Sequence, residues 1–405
     1  MSAHPAEPLA HTRADFPLLE REIDGRPIAY LDSASTAPKP RAVIEAVLDC
    51  YRHHTANVHR GVHVLAEEAS EAYEAARTEV ASFLNAAPDE IVFTRNSTEG
   101  VNLVAHGLGL GRDDEVVVTA LEHHSNFLPW RAAARTVAVG LGDDGLPRYD
   151  EVERALSPRT RLLALAQVPN TTGVVAPVER WVALARERGV PLLVDAAQSA
   201  SHLPIDVRAL DCDFLVLSGH KLLGPSGIGV LYGKRERLAG LALYQTGGGM
   251  VRRHTDEGFT PHEVPQRFEA GTPNIEGAVG LGAAVGYLRA LGMDAVRAHS
   301  LALGRHLVEG LREIPGARIV AGSAPLERRI GLAAFTLAAP GLGQEAIARL
   351  LCDRYGILLS GGYHCAHLLH DRLGLDGTVR ISTHVFNTHA EIDRALAALR
   401  EISGW

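Results

Sequence analysis

Apolar runs of four to eight residues recur along the first two-thirds of this chain, and a polar string follows each one. Residues 214–217, Phe-Leu-Val-Leu, are the clearest case. A continuous apolar run of this length reads as a strand buried on both faces. The same reading predicts strands at 26–32, 90–94, 115–119, 161–168 and 191–194, and an antiparallel one at 227–232. Between them, helical periodicity predicts a helix opened by Pro40 and running to 51, and another at 66–84. Residues 245–266 are glycine-rich and read as irregular, before a long helix at 275–291. Strands alternating with helices specify an α/β architecture. From 292 the pattern changes to an α+β lobe, with strands near 318–320, 331–337 and 357–359 and helices at 344–355 and 389–402. The expected division is a large α/β domain over 31–291 and a small α+β domain over 292–405. Residues 1–30 are expected to join the small domain, their first fourteen as a loose arm.

The polar strings lie just past the strands' C-terminal ends, where open α/β sheets bind ligands. They are Arg95-Asn96-Ser97-Thr98-Glu99-Gly100, Glu122-His123-His124-Ser125-Asn126, Pro169-Asn170-Thr171-Thr172-Gly173, Asp195-Ala196-Ala197-Gln198 and Ser218-Gly219-His220-Lys221. A lysine at the mouth of a buried strand is desolvated, and so suited to act as a nucleophilic amine that forms a Schiff base. Hydroxyls and N–H groups at a helix start make an anion cradle, although Ser97 or Thr98 could equally be a plain N-cap. An amine (Lys221), a carboxylate after a buried strand (Asp195), an imidazole (His124), an anion cradle (Ser97, Thr98, Ser218, His220) and amides (Asn170, Gln198) together meet the needs of pyridoxal 5'-phosphate. The acid keeps the pyridine nitrogen protonated, so the ring can take up electrons from the substrate.

Composition narrows the picture. The 405 residues carry a net charge of -8, with 46% hydrophobic and 22% charged positions, as in ordinary globular proteins. No basic field points to nucleic acid or an anionic membrane. No run of transmembrane length or signal-peptide pattern is present, so a cytoplasmic location is expected. Cys50, Cys212, Cys352 and Cys365 form no CxxC pair, and neither a metal site nor a disulfide framework is indicated. Cys365 stands out, in the glycine-flexed string Gly361-Gly362-Tyr363-His364-Cys365-Ala366-His367, where neighbouring imidazoles and exposure favour the reactive thiolate.

These strings, with Tyr30-Leu31-Asp32-Ser33-Ala34, His59-Arg60-Gly61, Phe268-Glu269-Ala270-Gly271-Thr272-Pro273-Asn274 and His364-Cys365-Ala366, resemble the class V aminotransferase family almost end to end. Within it they are most similar to the cysteine desulfurases and selenocysteine lyases. The resemblance implies a fold-type-I pyridoxal-phosphate enzyme with a mostly parallel seven-stranded sheet, working as a homodimer. It implies that L-cysteine becomes L-alanine while Cys365 takes the sulfur as a persulfide for an acceptor protein. By the same resemblance Lys221 forms the Schiff base and shuttles the Cα proton, Asp195 pairs with the pyridinium, and His124 stacks on the ring and acts as acid and base. Gln198 bonds the phenolic oxygen, and Asn170 touches cofactor or substrate. Thr98, Ser97, Ser218 and His220 hold the phosphate, Thr272 reaches it from the partner subunit, and Arg380 anchors the substrate carboxylate beside Ala34. Departures lie in the substrate loop. Ser360 stands where an arginine is usual, Tyr363 where a histidine is, and Leu368 and Pro169 replace a common proline and serine. They leave open a selenocysteine lyase, another C–S lyase or an epimerase, and, more remotely, a catalytically weak sulfur-relay partner.

Overall fold

The computed structural model describes residues 9–59, 61–142 and 144–404. Arg60 and the first eight residues of the expected arm lie outside this range.

Seven strands form the main sheet. They are β1 (Ile91–Thr94), β2 (Glu115–Thr119), β3 (Arg135–Val139), β4 (Thr160–Ala166), β5 (Leu192–Asp195), β6 (Phe214–Ser218) and β7 (Gly229–Gly233), in the order β1-β7-β6-β5-β4-β2-β3. All neighbours are parallel except β7, which runs antiparallel to both β1 and β6. Alternation within the strands supplies two cores. Val117, Leu163, Val194, Leu215 and Leu217 face one cluster, and Val116, Val118, Leu162, Leu193, Phe214 and Val216 face the other. Helices α1 (Arg41–His53), α2 (Val64–Leu84) and α5 (Ile275–Leu291) cover the first face, and α3 (Ser97–Gly107) the second; α4 (Val178–Glu187) links β4 to β5. Strand β3, which the sequence reading passed over, has an exposed-to-half-buried run because it lies at the sheet's edge.

The C-terminal lobe is a four-stranded antiparallel sheet. Its strands β8 (Ala317–Ile319), β9 (Leu332–Leu337), β10 (Ser360–Gly362) and β11 (Thr378–Ser382) lie in the order β8-β9-β11-β10. Helices α6 (Met293–Arg312), α7 (Gln344–Tyr355) and α8 (His389–Ser403) pack on it around a separate core that includes Leu303, Phe335, Ile347 and Leu399. Gly292, at φ 82°, makes the break between α5 and α6.

Two expectations need correcting. The N-terminal segment touches two cores: Ala29 and Leu31 join the one around Leu303 and Phe335, while Leu9, Phe16, Leu19 and Ile28 join the larger cluster, which also takes in Val385 and Phe386 of the C-terminal segment. Phe16 packs against Phe386 at 4.7 Å and Tyr287 at 6.1 Å, while the Thr12 hydroxyl donates to Val385 O. From residue 9 onward, therefore, the expected arm is packed structure. The second correction lies within the 245–266 stretch, where Val251–Thr255 and Gly258–Pro261 pair as an antiparallel ribbon. Its charged, mostly exposed residues carry no apolar alternation to announce it. No single helix among the described residues is long and apolar enough to cross a membrane.

Candidate active site

The C-terminal ends of β4, β5 and β6, with the segments after β1 and β2, open into a cavity of about 430 Å³ that the small lobe roofs. Lys221 and Asp195 line it, as do Ser97, Thr98, His123, Ser125, Asn170, Gln198, Ser218 and His220 from the large lobe. Ser360, His364, Cys365 and Arg380 come from the small lobe, and Ala34 and Ser35 from the segment joining the two.

Lys221 ends a one-turn 3-10 helix directly after β6. Burial pushes its amine down to about 8, against an upward pull from Asp195. Asp195 closes β5, fully enclosed, and accepts the Ala197 N–H at 2.8 Å. Burial raises its carboxyl, opposed by that N–H and by Lys221. At the start of α3, Ser218 Oγ accepts the Ser97 N–H and donates to Ser97 Oγ, both at 2.9 Å. Thr98 Oγ1 and Ser125 Oγ lie 2.7 Å apart. The first N–H groups of α3 have no intrahelical acceptor, and they carry the positive end of the helix dipole. Gly229 makes this cradle possible, because a Cβ there would lie 2.5 Å from Asn96 Cα, at the N-cap of α3.

Arg380 is buried on β11. Its Nη1 donates to Asn170 O at 3.2 Å, and its Nη2 donates to Ser35 Oγ at 2.7 Å and Asp32 Oδ1 at 3.3 Å. Cys365 is exposed, and both it and His364 adopt left-handed backbone conformations, at φ 54° and 50°. Large-lobe donors hold both of their carbonyls: His364 O accepts Asn170 Nδ2 at 2.8 Å, and Cys365 O accepts the His124 N–H at 2.9 Å.

The family described as Aminotransferase class-V matches residues 29–395. The chain belongs to this family. It is 43% identical over 405 residues to a cysteine desulfurase of Pectobacterium atrosepticum, covering 98% of each chain. It is 44% identical over 399 residues to a cysteine desulfurase of Synechococcus elongatus, covering 96% of this chain but only 63% of that longer one. Among solved structures it superimposes on the apo cysteine desulfurase from Thermococcus onnurineus with a TM-score of 0.90, at 36% identity and 98% coverage of both chains.

This class V site suits pyridoxal phosphate on its own chemistry. The amine and the enclosed acid stand at adjacent strand ends, and a hydroxyl-lined helix start lies beside them. Burial and the charges of Lys221 and Lys39 push His220 down to about 4, and burial with Lys221, His124 and Arg380 pushes His123 down to about 3. Burial is the larger cause in both, but the cationic Lys221 adds to each, and an anion beside it would oppose that part. Asn170 Oδ1 and Arg380 Nε are buried and lack hydrogen-bond partners among the described residues. Lys221, Asp195, Gln198, Ser97, Thr98, Ser218 and the α3 N-terminus would hold the cofactor.

One assignment changes place. The imidazole in the cavity wall of this class V chain belongs to His123, not His124. His123 caps the 3-10 turn His124–Asn126, and its Nδ1 accepts the Ser125 N–H at 3.1 Å. The turn sends His124 the other way, where its ring stacks on His367 at 5.0 Å and its Nε2 lies 3.2 Å from His367 Nδ1. Adjacent histidines look alike in the sequence, and only the turn separates them. Gln198 lines the cavity while donating Nε2 to Ala34 O at 2.9 Å. Thr272 lies apart, in a neighbouring 590 Å³ cavity with Asn57, His59, Gly248 and Gly249. The sequence reading quoted Asp32 within a motif and gave it no role. Here it binds Arg380 and Ser360, with Ser360 Oγ donating to Asp32 Oδ1 at 2.6 Å.

Proposed function

We propose that the chain is a pyridoxal-phosphate-dependent cysteine desulfurase that converts L-cysteine to L-alanine and carries the sulfur on Cys365. The observation that carries this reading is one cavity that joins a desolvated amine, Lys221, to an exposed cysteine, Cys365, with a buried guanidinium, Arg380, between the lobes. When bound, the cofactor withdraws electrons from the substrate's Cα and so weakens its bonds.

The chain's own residues do the rest. Arg380 binds the substrate carboxylate. Lys221 would hold the cofactor through its amine, and that amine moves a proton at the substrate Cα. Asp195 would hold the proton on the cofactor's ring nitrogen, and the neutral His123 ring would help to enclose the cofactor. The Cys365 thiolate attacks the substrate sulfur. A Cys365 S–S bond forms as the substrate's C–S bond breaks, and the bonding pair stays with the three-carbon fragment, which protons convert to alanine. A second thiol then takes the outer sulfur and restores Cys365. A homodimer belongs to the same proposal, supported by Thr272, which stands outside its own cavity, and by the exposed side chains of Tyr51, Val62 and Val64. So do a thiol-bearing sulfur-acceptor protein and a cytoplasmic location.

Alanine released per active site from L-cysteine tests this. Many turnovers with a thiol reductant and about one without it are expected, since Cys365 fills with a single sulfur. Cys365→Ala should release almost none. Full turnover by Cys365→Ala would overturn the reading in favour of a lyase or epimerase that needs no loop nucleophile.

A further inference from the structure

Arg380 has five N–H donors, and a carboxylate can bind it through two edges, Nε with Nη2 or Nη1 with Nη2. Nη2 belongs to both edges. Its two hydrogens are already engaged, by Asp32 Oδ1 at 3.3 Å and Ser35 Oγ at 2.7 Å. As the site stands, neither edge can offer a bidentate fork to an incoming ligand. Something must be released first.

The partner most readily released is Asp32. Its bond to Nη2 is the longest of the three that Arg380 makes. The same Oδ1 also accepts hydroxyls from Ser360 at 2.6 Å and Ser35 at 2.9 Å, so it keeps two hydrogen bonds without the guanidinium. Asp32 remains partly open to solvent, whereas Arg380 is buried. Losing Asp32 with nothing in its place would leave a buried guanidinium charge uncompensated, which is costly. A ligand carboxylate replaces that charge one for one.

We propose that Asp32 is a built-in competitor for the substrate's α-carboxylate, and so a determinant of affinity. In the resting chain Asp32 occupies Arg380. The amino acid takes the guanidinium over, and Asp32 is left to the Ser360 and Ser35 hydroxyls. Ser360 thereby lowers the cost of the exchange, although it has no charge with which to bind a carboxylate itself.

The inference rests on reading Arg380 as the carboxylate anchor, and the test separates the two. L-alanine, the product, is titrated into the holoenzyme by calorimetry, and KM for L-cysteine is measured alongside. Asp32→Asn keeps the shape but weakens the competitor, so the alanine dissociation constant should fall about fivefold, the difference between a charged and a neutral hydrogen bond. Ser360→Ala strands Asp32 after the exchange, so the constant should rise by a similar factor. Nonspecific damage would raise both. An unchanged or raised constant in Asp32→Asn overturns the proposal, as does an unchanged or lowered one in Ser360→Ala, which decides alone if Asp32→Asn does not fold. Arg380→Lys should raise the constant at least tenfold. If Arg380→Lys binds alanine as the parent does, the anchor reading fails first and the competitor with it.

Discussion

The charge on Lys221 decides how fast the chain can take up its cofactor. Burial pushes the amine down from 10.5 to about 8, with Asp195 opposing and Arg380 reinforcing. At pH 7 about one amine in ten is uncharged, against about one in three thousand for an ordinary lysine. Only the uncharged amine attacks the aldehyde of pyridoxal phosphate. Capture by the cofactor-stripped chain, followed by absorbance and confirmed by borohydride trapping and mass spectrometry, should speed up tenfold per pH unit and level off near 8. The charges beside Lys221 add two signed shifts. Asp195→Asn removes the group that holds the amine up, so the levelling point should fall. Arg380→Gln removes a group that pushes it down, so the point should rise. A rate still climbing at about 10, the ordinary lysine value, would refute the argument, as would both variants shifting the same way.

Two further outcomes follow from the surroundings of the site. Gly229→Ala would put a Cβ 2.5 Å from Asn96 Cα and 2.8 Å from both Asn96 C and Leu217 O, all backbone atoms that cannot rotate away. The start of α3 must shift, so the pyridoxal phosphate dissociation constant, measured by equilibrium dialysis, should rise about tenfold or more while overpacking costs about 1–3 kcal/mol of stability; unchanged affinity would mean that the cradle does not depend on that contact. Glu122 lies buried beneath the site, bonded at 2.6 Å by the Thr119 hydroxyl and by Asn126 Nδ2, and burial raises its carboxyl from 4.5 to about 8. The folded chain then holds a proton that the unfolded chain has lost, so this group's contribution is complete below about 4.5 and declines as pH rises to about 8. Denaturant midpoints of the cofactor-free chain should fall across that window, and Glu122→Gln should flatten the fall; an equal slope in both chains would contradict the assignment.

Much of the large lobe was legible because its strands are apolar throughout and the polar residues that line the cavity follow them. Asp195 after β5 and Lys221 after β6 needed no long-range information. The antiparallel β7 was likewise readable. The reading failed where two lobes or two neighbours had to be told apart. His123 and His124 differ only by a one-turn helix that the sequence does not announce. Phe16 is buried by Phe386 and Tyr287, 370 and 271 residues away, so nothing local shows that this end of the expected arm is packed. The place of Asp32 is also largely non-local, because two of its three side-chain partners come from 360 and 380. The exposed ribbon at 251–261 lacks the alternation by which a buried strand is read.

The loop that bears Cys365 is held in place from across the cleft. Two consecutive non-glycine residues in left-handed conformations form a segment that would relax if left alone. Within its own lobe His364 Nε2 lies 3.1 Å from Thr378 O, and from the opposite lobe Asn170 and His124 grip the two carbonyls. The distance between the lobes and the aim of the thiol are therefore one coordinate. Moving the lobes apart would break both of these bonds and leave the cysteine loop to the contacts of its own lobe alone.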